Sequence, residues 1–192
     1  VYLSRTEGIS STMLRAETTK DVRVGIIGCG RVAHRFPSEA AVVNGLKIVA
    51  AYDIDENASK ELATINEETQ SYTSLNDFYK AIEAVYIATP HISHYDYIKK
   101  SIEAGKHVLC ETTSNITLAD GVALCRVKEE TGMTFGLLEN YPFFKSNQEM
   151  ERLYRGGTLG NIVYAEGEYV HPSTKRDANR LAPGRNHWRN WL

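Results

Sequence analysis

Val22-Arg23-Val24-Gly25-Ile26-Ile27-Gly28-Cys29-Gly30-Arg31-Val32-Ala33 carries an apolar run of strand length straight into the pattern Gly-x-Gly-x-x-Ala. Each small residue there has its own task. Gly28 permits a tight turn off a strand, Gly30 keeps a Cβ away from whatever approaches the backbone, and Ala33 lets the next helix pack against the strand. A strand that turns into a helix in this way leaves backbone amides free at the turn, where a pyrophosphate is favoured.

Working outward, further short apolar runs at Lys47–Tyr52, Ala84–Ala88, His107–Cys110 and Thr134–Leu138 read, with Val22–Ile27, as buried strands. Helical patterns separate them: Ala58, Leu62 and Ile65 repeat at i, i+4, i+7, and Tyr95, Ile98 and Ile102 at i, i+3, i+7. Ser74 with Asp77 and Thr117 with Asp120 mark helix starts, and Gly105 and Gly132 mark stops. Proline inside a helix costs about 3 kcal/mol, so Pro37 predicts a short, kinked or restarted helix after Gly30. Strands alternating with helices feed a parallel sheet. The expected fold is therefore α/β: a Rossmann-type doubly wound parallel sheet over residues 21–141, after a disordered lead-in at 1–20. Residues 142–192 read as the incomplete beginning of an α+β C-terminal domain, with a helix over Phe144–Tyr154 and a half-exposed strand over Ile162–Val170.

Asp53 stands at the end of the second strand, twenty residues after Ala33. An acid there accepts hydrogen bonds from the adenosine ribose of a dinucleotide and opposes a 2′-phosphate, which favours NAD over NADP. The alternative is a solvated turn acid beside Asp55. The cofactor contacts expected on this side are Gly28, Cys29, Gly30, Arg31, Val32 and Asp53.

Composition closes other routes. The net charge is −2, from 22 basic and 24 acidic residues with no long like-charge block, so no nucleic-acid or anionic-membrane partner is indicated. No run of about 18 apolar residues offers a membrane span. The three cysteines Cys29, Cys110 and Cys125 are widely spaced and suggest neither a disulfide framework nor a zinc site, consistent with reduced thiols and a cytoplasmic location. His91 and His94 lack a third ligand, and no metal is expected. The triplet Asn115-Ile116-Thr117 matches a glycan acceptor, a pattern that chance supplies often.

Two further stretches, Ala88-Thr89-Pro90-His91-Ile92-Ser93-His94 and Glu103-Ala104-Gly105-Lys106-His107-Val108-Leu109-Cys110-Glu111, resemble the Gfo/Idh/MocA family, the glucose-fructose oxidoreductase and inositol dehydrogenase group. The likeness runs from about Val22 to Val170, and Trp188-Arg189 looks like a further element of the family. It implies a Rossmann domain followed by a domain built on a large open sheet, a sugar or polyol substrate between them, and homo-oligomers formed through that sheet. It also implies that Thr89, Pro90 and His94 lie along the nicotinamide half of NAD, Glu111 near its ribose, and Trp188 with Arg189 beside the cofactor. Surface histidines opening a helix are the alternative for His91 and His94.

One departure stands out. Where the family has Glu-Lys-Pro, this chain has Glu111-Thr112-Thr113. The lost ammonium assists proton transfer in dehydrogenating members, whereas a threonine hydroxyl at Thr112 can orient a ligand but is no base near neutral pH. Leu138-Glu139-Asn140-Tyr141 resembles the Glu-Asn-Tyr of a branch that also lacks the lysine and includes NAD-requiring glycosidases, which implies a substrate-facing role for Asn140 and Tyr141. Packing of Tyr141 and Phe143 at a domain junction is the alternative. The basic residues Lys175, Arg176, Arg180 and Arg185 read as a solvated loop. The leading expectation is an NAD-dependent oxidoreductase of a sugar or polyol. The alternatives are NAD-requiring glycoside hydrolysis and a truncated, non-catalytic NAD-binding module.

Overall fold

The computed structural model describes residues 20–168 and 170, which fall into two compact units divided between Leu138 and Glu139. In the first unit six strands form one parallel sheet: β1 (Val22–Ile27), β2 (Leu46–Tyr52), β3 (Gln70–Tyr72), β4 (Ala84–Ile87), β5 (His107–Glu111) and β6 (Phe135–Leu138). Their order is β3-β2-β1-β4-β5-β6, so the chain reverses direction across the sheet between β1 and β4. Ile27 at the end of β1 faces Tyr52 on one side and Ile87 on the other, which brings three strand ends level at that crevice.

The helices are α1 (Phe36–Ala40), α2 (Glu56–Ala63), α3 (Leu75–Ala81), α4 (His94–Glu103) and α5 (Leu118–Thr131). Two apolar layers hold them. On one face Val24, Ile26, Ala51 and Tyr86 pack with Ala33, Phe36 and Leu62; on the other Ile27, Val85, Ile87 and Val108 pack with Phe78, Ile98, Ile102 and Leu124. Strands buried on both faces explain the continuous apolar runs that replace simple alternation.

Local chemistry sets the boundaries. Asp55, Ser74 and Thr117 accept hydrogen bonds from the amides of Asn57, Asp77 and Asp120 at the starts of α2, α3 and α5. α4 and α5 stop shortly before Gly105 and Gly132, both with positive φ. The expected interruption at Pro37 takes the form of a 3-10 turn, Ala33–Arg35, followed by the five-residue α1 with Pro37 in its first turn. Ile65 lies beyond α2 and is 42% exposed, so the apolar stripe of that helix is shorter than its spacing suggests. β3 was not expected, being three residues long and polar; its partner strand and the buried Ser59 Oγ to Ser71 Oγ bond (2.8 Å) hold it.

The second unit has a 3-10 turn, Tyr141–Phe143, and α6 (Lys145–Arg155), against the Phe144–Tyr154 read from the sequence. The strand expected over Ile162–Val170 is not formed: among the described residues there nothing pairs, and Val163 is 97% exposed. Alternation supplies a face, but a strand exists only with a ladder partner.

Candidate functional site

The strand ends at the β1/β4 crevice carry most of the residues singled out from the sequence. Gly28 leaves β1 with φ +88 and its amide donates to Tyr52 O at 3.0 Å. A Cβ at Gly28 would stand 2.7 Å from Thr89 N and 2.8 Å from Ala88 C, so the loops after β1 and β4 touch through their backbones. Gly30 is different. A Cβ there would meet nothing within 4 Å, and its φ is not left-handed, so neither packing nor conformation within the chain asks for glycine. The bare backbone at Gly30 is a cradle that a side chain would fill.

The amides around it are also uncommitted. Those of Gly30, Arg31 and Val32 have no acceptor among the described residues, whereas Cys29 N donates to Asp53 Oδ2 at 2.7 Å. Because α1 has only five residues, its macrodipole adds little, and an anion at this turn would be held by the amides themselves.

Asp53 and Asp55 divide their tasks. Asp55 caps α2, while the half-buried Asp53 accepts Cys29 N at Oδ2 and Asp55 N at Oδ1 (2.9 Å), which ties its carboxylate to the glycine loop. Each carboxylate oxygen keeps a second acceptor position, which suits ribose hydroxyls.

Cys29 lies on the loop with its side chain turned inward. Its side chain is 2% exposed and Sγ donates to Tyr52 O, so it points into the fold. Burial, then the charge of Asp53, pushes its thiol up to about 12 despite the opposing bond to Tyr52 O. Arg31 and Val32 are exposed on the turn.

On the other side of the crevice, Thr89 and Pro90 are half-buried and Ser93 Oγ donates toward Thr89 Oγ1 (2.9 Å) and Pro90 O (2.8 Å). His94 is neither a surface histidine nor open to a ligand. It is 1% exposed, and Nε2 and Nδ1 each lie 2.7 Å from a backbone oxygen, that of Thr89 and that of Thr113. In this arrangement it clamps the β4 loop to the β5 loop. Glu111, at the end of β5, is half-buried and accepts from the buried Tyr86 hydroxyl at 2.8 Å. Thr112 and Thr113 follow it, exposed and joined by a cis peptide bond.

Tyr86 and its neighbour Phe36, whose rings stack at 4.0 Å, were missed in the sequence. The available signal was a hydroxyl within the wholly buried strand β4, since a buried phenol needs a partner. Burial, then the bond to Glu111, pushes the Tyr86 phenol well above its ordinary value, which keeps it a donor.

In the second unit Asn140 and Tyr141 are both exposed. The Tyr141 amide donates to Glu139 Oε1 at 3.2 Å, its carbonyl accepts from Asn147 Nδ2, and its ring lies 5.0 Å from that of Phe144. Trp188, Arg189 and the basic residues 175–185 lie outside the described residues. Among the described residues no group of acids, histidines and cysteines could hold a metal, and no helix is long and apolar enough to cross a membrane.

A family model described as an oxidoreductase family with an NAD-binding Rossmann fold, Gfo/Idh/MocA, matches residues 22–138. Among curated proteins, a glycosyl hydrolase family 109 protein of Bacteroides fragilis is 32% identical over 163 residues, covering 78% of this chain and 35% of that protein. The glucose-6-phosphate 3-dehydrogenase of Bacillus subtilis is 25% identical, covering 80% and 44%. The crystal structure of a myo-inositol 2-dehydrogenase from Lactobacillus plantarum superposes with a TM-score of 0.68 at 23% identity, over 76% of this chain and 44% of that one, which shows the fold. The chain spans less than half the length of these relatives.

Proposed function

Since the chain belongs to the Gfo/Idh/MocA oxidoreductase family, whose matched part is an NAD-binding Rossmann fold, we propose that it is the cofactor-binding part of an NAD-dependent oxidoreductase of a sugar or polyol. The observation that carries this reading is Gly30: the chain itself has no use for a glycine there, and uncommitted amides surround it. A pyrophosphate needs both.

In this reading Gly30, Arg31 and Val32 hold the pyrophosphate by their amides, and Asp53 accepts from the adenosine ribose. The second nucleoside then crosses the β1/β4 crevice toward Thr89, Pro90, Glu111 and Thr112, as ligands do at the switch point of such sheets. A carboxylate at Asp53 opposes an added phosphate, so NAD is preferred over NADP. When bound, the nicotinamide supplies the hydride exchange, and the protein supplies orientation and electrostatics. His94 acts at one remove by fixing the spacing of the Thr89 and Thr113 carbonyls. Residues 142–192 are read as the start of a substrate and oligomerisation domain, and Trp188 with Arg189 as cofactor neighbours contributed by it.

Titration calorimetry with NAD and NADP tests the cofactor; a panel of sugars and polyols, followed by NADH absorbance, tests the reaction. Absence of NAD binding sinks the reading outright. Binding without turnover on any substrate removes the dehydrogenase half.

A second reading is glycoside cleavage with the cofactor recycled in place. It is favoured by Thr112 in the lysine position, by Glu139-Asn140-Tyr141, and by the 32% identity to a glycosyl hydrolase family 109 protein. It expects aryl glycosides to be cleaved without net NADH, and cleavage by cofactor-free protein is incompatible with it.

A further inference from the structure

Tyr86 lies in β4 opposite Leu109 of β5, and Glu111 is two residues further along β5, so strand alternation puts all three on one face of the sheet. That face also carries Phe36, stacked on the Tyr86 ring at 4.0 Å and 19° between planes. The ring is thus wedged between α1 and the sheet with 2% exposure, and its hydroxyl reaches past the ladder to a carboxylate at the strand end. A phenylalanine would fill the same space without needing a partner. What the hydroxyl adds is a charge-assisted bond that stops a flexible Glu111 side chain from rotating. With Oε1 taken by Tyr86, Oε2 of Glu111 has no partner among the described residues. Asp53 directly follows β2 and Glu111 ends β5, so the two acids flank the crevice on opposite sides of the glycine turn.

We propose that Tyr86 is a positioning residue: it holds Oε1 of Glu111 so that Oε2 accepts from the hydroxyls of the second ribose of a bound dinucleotide. This rests on the NAD reading above and extends it to a residue that touches no ligand.

Calorimetry of the full chain with NAD and with ADP, which lacks the second nucleoside, tests it. Tyr86→Phe keeps the ring stack and should weaken NAD about tenfold, while ADP stays within twofold of the native chain. Glu111→Gln should weaken NAD similarly, and the double variant no further, because both changes break one link. Unchanged NAD affinity in Tyr86→Phe, equal weakening of NAD and ADP, or additive losses in the double variant each overturn the proposal. Loss of the cooperative melt in Tyr86→Phe also overturns it, because the hydroxyl is then a support of the fold and not of Glu111 alone. Failure of the NAD reading shows separately, as a native chain that binds neither ligand, and it takes the proposal with it.

Discussion

Two glycines two residues apart should respond to the same substitution in opposite ways. At Gly28 an alanine would have to hold φ +88, which costs an L-residue about 1–2 kcal/mol. Its Cβ would also press at 2.7–2.8 Å on Thr89 N and Ala88 C, backbone atoms beside the bond from Ala88 N to Ile27 O and so unable to swing aside. Such overpacking adds roughly 1–3 kcal/mol. A loss of about 3 kcal/mol lowers the melting temperature by about 6–12 °C for a chain of this size. At Gly30 the alanine meets nothing within 4 Å and needs no left-handed backbone, and it narrows the unfolded ensemble. Gly30→Ala should melt at the native temperature or a few degrees above. It should nevertheless weaken NAD at least about tenfold, because the new methyl occupies the phosphate's approach. Calorimetric melting and NAD titration of both variants measure the split. Destabilisation by Gly30→Ala comparable with that of Gly28→Ala, or native NAD affinity in Gly30→Ala, refutes the reasoning.

Replacing Asp53 with asparagine removes the charge that opposes a 2′-phosphate and leaves one oxygen for two backbone amides, so NAD-over-NADP preference should fall about tenfold with a small drop in melting temperature; an unchanged preference in paired titrations refutes the role. In the native chain only the exposed Cys125 should react with a thiol reagent at pH 8, with Cys29 and Cys110 reacting after denaturation; a second fast thiol among these contradicts their burial. Because burial raises the Cys29 thiol to about 12 and the Tyr79 phenol to about 12, the folded state keeps protons that the unfolded state releases from about pH 9 upward. Melting temperature should therefore fall as pH rises from 9 toward 12, and a flat profile there is the contrary result. Thr117→Ala, which removes the cap on α5, should cost about 1 kcal/mol, or 2–4 °C, and Thr117→Ser should restore most of it.

What could be read ahead of the structure was local. Caps at Ser74 and Thr117, the restart at Pro37 and the turn at Gly28 involve residues within a few positions of one another, and the two-sided burial of β1 and β4 shows directly as an apolar run. What could not be read depends on distant partners. β3 is polar and exists through pairing with β2, and the alternation at Ile162–Val170 lacks a ladder partner among the described residues. The same distinction divides the site. Motif spacing brings Cys29 and His94 to the crevice, but it does not tell that Sγ of one is spent on a backbone carbonyl and that each ring nitrogen of the other faces one.

That spending bears on the chemistry. A dehydrogenation needs a group that takes up the hydroxyl proton, and Thr112 cannot do so. Of the acids and the histidine singled out at the crevice, Asp53 has both oxygens on amides, His94 has a carbonyl facing each ring nitrogen, and Glu111 has Oε1 on Tyr86. Each is arranged to hold a shape. The strand ends are therefore built to bind and orient, and the proton-transfer group of either proposed reaction is to be sought outside these three residues and Thr112. The Thr112→Lys variant isolates the point: it restores an ammonium beside Glu111 without altering the anchored groups. If the missing lysine alone separates this crevice from a working dehydrogenase, turnover should appear with it; if the proton-transfer group comes from elsewhere, NAD binding persists and turnover does not change.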